Sequence, residues 1–345
     1  MSTEPNLKTL HPWLQENTTP VGSTGGTVKS FSHDLGDNGP ILCAVHGWPQ
    51  SSYMWRHVLP SLRPRISLFV PEIPGYGFSS PPAAYDKRTV GALILSALRT
   101  TFGSSRPIIW CGHDRGARIG HRLLVDHSNP SSSSPKDQDN TNHNEILSAI
   151  IIDIVPTLRQ WQSFSHPAAS RAYFHWPFLA LPHAADMILA MGGANFTRMN
   201  LRNALGENPA GRAGFEADGA VEVYCRQFDD PECVRGACAD YAAAAGEDVD
   251  LQMRDMEQPG GGGGGGGGRN VIRVPTMVIY SARNLGRMHD VPGAWEGWID
   301  AGVEARFVGV GDGHGHYLPE EASDLVAERI LEWIERTAGG KGEGK

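Results

Sequence analysis

The chain has 345 residues, and its 30 Lys and Arg against 38 Asp and Glu give a formal charge of −8. That length can bury a large core, while an acidic balance without a basic run argues against a nucleic-acid partner. Five cysteines without a CxxC or a Cys/His cluster suggest neither a disulfide framework nor structural zinc, and no window reaches the roughly 18 apolar residues of a spanning helix.

Residues 1–15 lack a basic segment followed by an apolar one, so the expectation is a soluble cytoplasmic protein with no membrane partner. Short aliphatic and β-branched runs predict strands at 41–45, 67–70, 108–111, 149–154, 276–280 and 306–310, with an edge strand at 27–32. Helical stretches alternate with them, the pattern of an α/β fold with a mostly parallel, doubly wound sheet. Residues 131–144 are polar and of low complexity, which reads as a surface loop before the 149 strand.

From Pro156 to about Pro259 the rhythm changes to Ala, Trp, Tyr and His with few strand-like runs, as an inserted helical cap would. Nine glycines, 260–268, then read as a return linker, because such a tract has much backbone entropy and no side chains to pack. The expected division is a core over 1–156 and 271–338, a cap over 157–259, a linker over 260–270 and a flexible tail over 339–345.

Four segments carry chemistry. Apolar residues 108–111 run into Gly112-His113-Asp114-Arg115-Gly116 and then a helix-compatible stretch. This is the form of a nucleophile elbow, in which glycines flank a residue held in a strained turn at the carboxyl end of a strand. The residue is Asp114, whose carboxylate is ionised at neutral pH and can attack a saturated carbon without a base to activate it. The alternative is an aspartate that caps the following helix. His46-Gly47-Trp48-Pro49 follows the 41–45 strand, where the Trp48 N–H beside that of Arg115 could form an oxyanion hole. Pro71-Glu72-Ile73-Pro74-Gly75-Tyr76-Gly77-Phe78-Ser79 follows the next strand, and Gly315-His316-Tyr317-Leu318-Pro319-Glu320-Glu321 follows the last, where a base could overhang the elbow.

Together these segments resemble the α/β-hydrolase superfamily, in its Asp-nucleophile branch of haloacetate (fluoroacetate) dehalogenases, epoxide hydrolases and haloalkane dehalogenases. The resemblance covers about Thr27 to Arg336 and implies an α/β-hydrolase fold with an inserted cap. It also implies nucleophile, acid and histidine in that chain order, which Asp114, Asp153 and His316 supply. Asp153 ends an apolar strand and resembles the acid of the haloacetate dehalogenases; Asp290 is the other candidate, after the 276–280 strand, where the usual Asp is missing. His316 fits the Gly-His-[Phe/Tyr]-Leu-Pro-Glu-Glu pattern better than His314.

Arg115 stands where epoxide hydrolases and haloalkane dehalogenases usually have Trp, and His-Asp-Arg-Gly-Ala-Arg resembles the haloacetate dehalogenase elbow. Arg115 and Arg118, three apart, could hold one substrate carboxylate; alternatively Arg118 pairs with a structural acid. The resemblance further assigns His175, Trp176 and Tyr241 to the leaving halide. It implies displacement of halide from a small, anionic 2-haloacid through an aspartyl ester, giving a 2-hydroxy acid. Neither a metal nor an organic cofactor is called for, and a homodimer is left open. The alternative is an epoxide hydrolase on a bulkier metabolite, since the Glu72-Ile73-Pro74-Gly75 turn is more like that branch, and Ala242-Ala243 stands where the dehalogenases often have Arg-Ala. A ligand-binding relative without turnover is the third reading.

Overall fold

Why the predicted strands form is visible in how their side chains divide. In a computed structural model, which describes residues 5–22, 26–130, 145–257 and 269–338, Ile41, Cys43 and Val45 join one core cluster with Ile108, Trp110, Ala149, Ile151 and Val278. Leu42 and Ala44 join the other with Ile109, Cys111, Ile150, Ile152, Met277 and Ile279. Successive strand residues point to opposite faces, and here both faces are buried, so the sequence shows continuous apolar runs rather than alternation.

Eight strands form one sheet in the order β1-β2-β4-β3-β5-β6-β7-β8: β1 Gln15–Val21, β2 Gly26–His33, β3 Ile41–Val45, β4 Ser67–Pro71, β5 Ile108–His113, β6 Ile146–Ile152, β7 Thr276–Ser281 and β8 Ala305–Val310. The pairs from β4 to β8 are parallel, whereas β1–β2 and β2–β4 are antiparallel. The 27–32 segment, expected at the edge, is the second strand, because β1 lies outside it. The sequence Gln-Glu-Asn-Thr-Thr-Pro-Val of β1 is mostly polar and carries Pro20, a composition an edge strand tolerates and a search for apolar runs passes over.

The Lys87–Phe102 and Arg115–Ser128 helices cover one face through Val90, Ile94, Leu98, Ile119 and Leu124. The Ser323–Ala338 helix covers the other through Val326, Ile330 and Trp333. Between β6 and β7 the chain from Thr157 to Met256 is helical. These helices meet the loops at the carboxyl ends of the strands: the Tyr76 hydroxyl donates to Asp240 at 3.1 Å, and the His316 N–H donates to the Ala204 carbonyl at 2.9 Å. The polar stretch 131–144 and the tract 260–268, with the expected tail, lie outside the described residues. Among the described residues no helix is long and apolar enough to cross a membrane.

Candidate active site

Parallel strands that end together place their following loops side by side, and the four segments singled out from sequence converge there. The β5 strand ends in a turn in which Asp114 adopts φ 46° and ψ −111° before the Arg115–Ser128 helix begins. Positive φ is costly for a residue with a side chain and persists only where the surroundings fix it. Here the glycines permit the fixing approach. A Cβ on Gly112 would lie 2.3 Å from the Gly116 carbonyl oxygen, and one on Gly116 would lie 2.4 Å from the Val45 carbonyl oxygen. Backbone bonds from Asp114 N–H to Ile152 (3.2 Å) and from Gly116 N–H to His46 (2.9 Å) complete the turn.

The Asp114 side chain makes no cap bond to the helix that follows it. Instead its Oδ1 accepts the Trp48 N–H at 3.0 Å, and the approach needs Gly47, where a Cβ would sit 2.5 Å from that of Asp114. The Arg115 side of the expected oxyanion hole follows directly on the elbow. His46 holds the Trp48 turn from behind, its Nε2 accepting the Ile73 N–H at 3.0 Å and its Nδ1 donating to the Gly47 carbonyl at 3.0 Å.

Asp153 follows the last residue of β6, also at positive φ (55°). Its Oδ1 accepts the Ser281 N–H at 2.8 Å, and its Oδ2 accepts the His316 Nδ1–H at 2.6 Å. That bond fixes the tautomer, leaving Nε2 turned toward Asp114, 3.9 Å from Oδ2. This distance is too long for a hydrogen bond and short enough for one intervening water. The alternatives fall elsewhere: Asp290 caps a short helix through the Gly293 N–H (3.3 Å), and the His314 carbonyl accepts the Ser281 hydroxyl at 2.7 Å.

Electrostatics differ between the members. Burial would raise the Asp114 pKa, but the charges of His316, Arg115, Arg118 and His113 outweigh it and hold the carboxyl at about 2. Burial would likewise lower His316, yet the bond and charge of Asp153, with Asp114 and Glu321 nearby, raise it above its ordinary 6.5. A carboxylate ionised at any working pH therefore faces an imidazole that titrates above 6.5. Such a pair can supply a nucleophile and, separately, a base.

A cavity of about 430 Å³ opens beside this pair, lined by Trp48, Asp114, Arg118, Asp153, Tyr173, His175, Trp176, Tyr241 and His316 among others. His175 stacks on Trp48 with ring centroids 5.3 Å apart, and Tyr241 meets His175 and Trp176 edge-on at 5.8 and 5.5 Å. Burial, first, and the neighbouring cations hold His175 at about 3, so its imidazole is neutral and can donate from one nitrogen only.

The two arginines are not equivalent. Arg118 lines the cavity, is 4% exposed, and has no acid within ion-pair distance among the described residues; its Nη1 donates to Val155 (3.0 Å) and Thr157 (3.2 Å), and its Nε has no partner. Burial and the charge of Arg115 lower its pKa to about 10. Arg115 departs from the expectation of a second open fork. It is fully buried behind the cavity wall, where Nε pairs with the Asp240 carboxylate and Nη2 donates to the Asp240 carbonyl at 3.1 Å, leaving Nη1 alone unpartnered among the described residues. Its guanidinium lies 4.0 Å from the Tyr241 ring centre and can brace that ring.

Three supporting residues escape a motif search. Asp240 holds both Arg115 and Lys87, the latter at 2.7 Å. Glu321 accepts N–H bonds from Gly206 (2.9 Å), Gly315 (2.7 Å) and Tyr317 (3.0 Å), clamping the two neighbours of His316 to the helical segment. Tyr173 lines the cavity with its hydroxyl buried and unpartnered among the described residues. Of these only Glu321 had a local signal, its place five residues after His316 in a quoted motif; the others need contacts across long chain separations.

Comparison with known proteins agrees with the fold. A family model for the α/β hydrolase fold matches residues 40–134. A fluoroacetate dehalogenase from Burkholderia sp is 28% identical over 313 residues, 89% of this chain and 90% of that protein. A soluble epoxide hydrolase from Corynebacterium sp. (strain C12) is 25% identical over 302 residues, 86% and 91% of the two chains. Among solved structures, a protein from Pseudomonas aeruginosa provisionally described as an epoxide hydrolase superposes with a TM-score of 0.75 at 25% identity, covering 97% of this chain and 98% of that one. The chain is an enzyme with the α/β-hydrolase fold, similar to both fluoroacetate dehalogenase and epoxide hydrolases.

Proposed function

We propose that the protein hydrolyses small 2-haloacids through an aspartyl ester. The observation that carries the reading is Arg118, a guanidinium buried in the cavity wall near Asp114 with no acid at ion-pair distance among the described residues. A buried cation is costly unless an anion meets it, and a substrate carboxylate is such an anion. With the acid held there, Asp114 Oδ2 displaces halide from the α-carbon, and the halide departs with its bonding electrons toward His175, Trp176 and Tyr241. His316, oriented by Asp153, then takes a proton from the water that attacks the Asp114 carbonyl carbon. Oδ1 becomes the oxyanion, to which the Trp48 N–H already donates. The products are a 2-hydroxy acid, halide and a proton.

The test is halide release from chloroacetate and fluoroacetate, with His316→Ala used to trap the ester. Absence of an adduct on Asp114, or unaltered turnover by Asp114→Ala, would refute the reading. Epoxide opening is the second reading, favoured by one observation: two tyrosines, Tyr173 and Tyr241, line the cavity as possible proton donors to an opening oxygen. Product analysis separates the two, because ring opening yields a diol and no halide. The substrate requires neither nucleic acid nor membrane, and a cytoplasmic, soluble enzyme acting alone or as a homodimer suits this chemistry.

A further inference from the structure

The cavity contains more positive charge than a monocarboxylate uses. Besides Arg118, its lining includes Arg171, Arg283 and Arg287, against which stand only Asp114 and Asp153 among acidic lining residues. Both of those carboxylates already accept hydrogen bonds, Asp114 from Trp48 and Asp153 from Ser281 and His316. Arg283 is paired with Glu207. Arg171 and Arg287 are exposed at the mouth, and among the described residues neither has an acid within ion-pair distance. This is a cationic rim on a chain whose formal charge is −8, so it is not a reflection of general surface charge.

A second observation ties the rim to the interior. The hydroxyl of Tyr173, another lining residue, is buried and has no hydrogen-bond partner among the described residues. Burial and Asp153 raise its pKa, and the charges of Arg118 and Arg287 oppose them, so Tyr173 feels the interior and the rim cation together. A buried unpartnered hydroxyl is a cost that a ligand oxygen can remove. Size agrees: at about 430 Å³ the cavity falls in the ~300–1,000 Å³ range of pockets that take ligands well beyond two carbons.

We infer that the substrate is a dianion, a 2-substituted dicarboxylate of about four to five carbons whose proximal carboxylate meets Arg118 over Asp114 and whose distal carboxylate sits at the rim between Arg171 and Arg287. The inference rests on the haloacid reading for the bond that breaks, but the rim site is a binding claim that can be tested apart from it. For a 2-halo dicarboxylate, Asp114 Oδ2 forms the C–O bond as halide leaves, and water returns a 2-hydroxy dicarboxylate, halide and a proton.

The experiment compares kcat/KM for 2-chlorobutanedioate with that for 2-chlorobutanoate, a monoanion of the same chain length, in the unmodified enzyme and in the Arg171→Gln/Arg287→Gln double variant. Two exposed charge contacts should favour the dianion about tenfold, and the double variant should bring the ratio to about one. A ratio near one in the unmodified enzyme, or a preference that survives in the variant, overturns the inference. Failure of every chloro acid, chloroacetate included, to release halide counts against the haloacid reading instead. The rim site is then decided by calorimetric binding of unreactive butanedioate and butanoate. Tighter dianion binding that is lost in the variant upholds it, and equal binding overturns it.

Discussion

Replacing Asp153 by Asn should separate the two steps of the proposed reaction, because in it the carboxylate supports only the second. In the structure Asp153 Oδ2 accepts the Nδ1–H of His316 at 2.6 Å, with both side chains largely withdrawn from solvent. The amide keeps the size and one acceptor but loses the charge that stabilises the imidazolium formed when water is deprotonated. Removing one charge from a buried, hydrogen-bonded pair costs about 3–5 kcal/mol, equivalent to roughly 10²–10⁴ in the rate of ester hydrolysis. Formation of the ester should change little, since Asp114 is ionised through neighbours that remain, Arg115 and Arg118 among them. Mixed rapidly with chloroacetate, the variant should release one halide per enzyme in a burst and then slow. Peptide mass analysis should find the acid less its halide attached to Asp114. A burst slowed as much as steady turnover, or steady turnover without an adduct, would show that Asp153 does not act through His316.

The pH profile should follow the same division. Because the His316 pKa lies above 6.5 and the base must be neutral, turnover limited by hydrolysis should fall as pH drops through that raised value, while the burst persists because Asp114 holds its charge down to about 2; a burst and a steady rate lost together would contradict it. Arg118→Gln should lower kcat/KM for haloacetates by about 2–5 kcal/mol of lost carboxylate binding, yet leave thermal stability unchanged or improved, because it removes a buried cation with no acid partner among the described residues. Thermal melting beside substrate kinetics checks both halves. Gly116→Ala should destabilise the fold by about 1–3 kcal/mol or more, since the new Cβ would press within 2.4 Å of the Val45 carbonyl oxygen; an unchanged melting temperature would mean that the elbow can relax.

What could be read in the sequence was local in origin. The β3–β7 strands were legible because burial on both faces leaves apolar runs, and β8, a half-buried edge strand, from its Phe-Val-Gly-Val run alone, whereas β1, mostly polar and at the other edge, leaves none. Asp114, Trp48 and His316 were legible because each sits in a turn whose glycines and prolines leave a signature within a few residues. The same locality explains the main departure. In sequence Arg115 and Arg118 are alike, two guanidinia three residues apart in the first turn of one helix. The difference between them comes from Asp240, 125 residues beyond Arg115, which neutralises one arginine and leaves the other unopposed. The consequence bears on the proposed function: a substrate carboxylate would meet one open guanidinium and at most a single spare nitrogen of the other. Anchoring at the elbow therefore depends mainly on Arg118, and any stronger hold on the substrate has to come from groups farther out in the cavity.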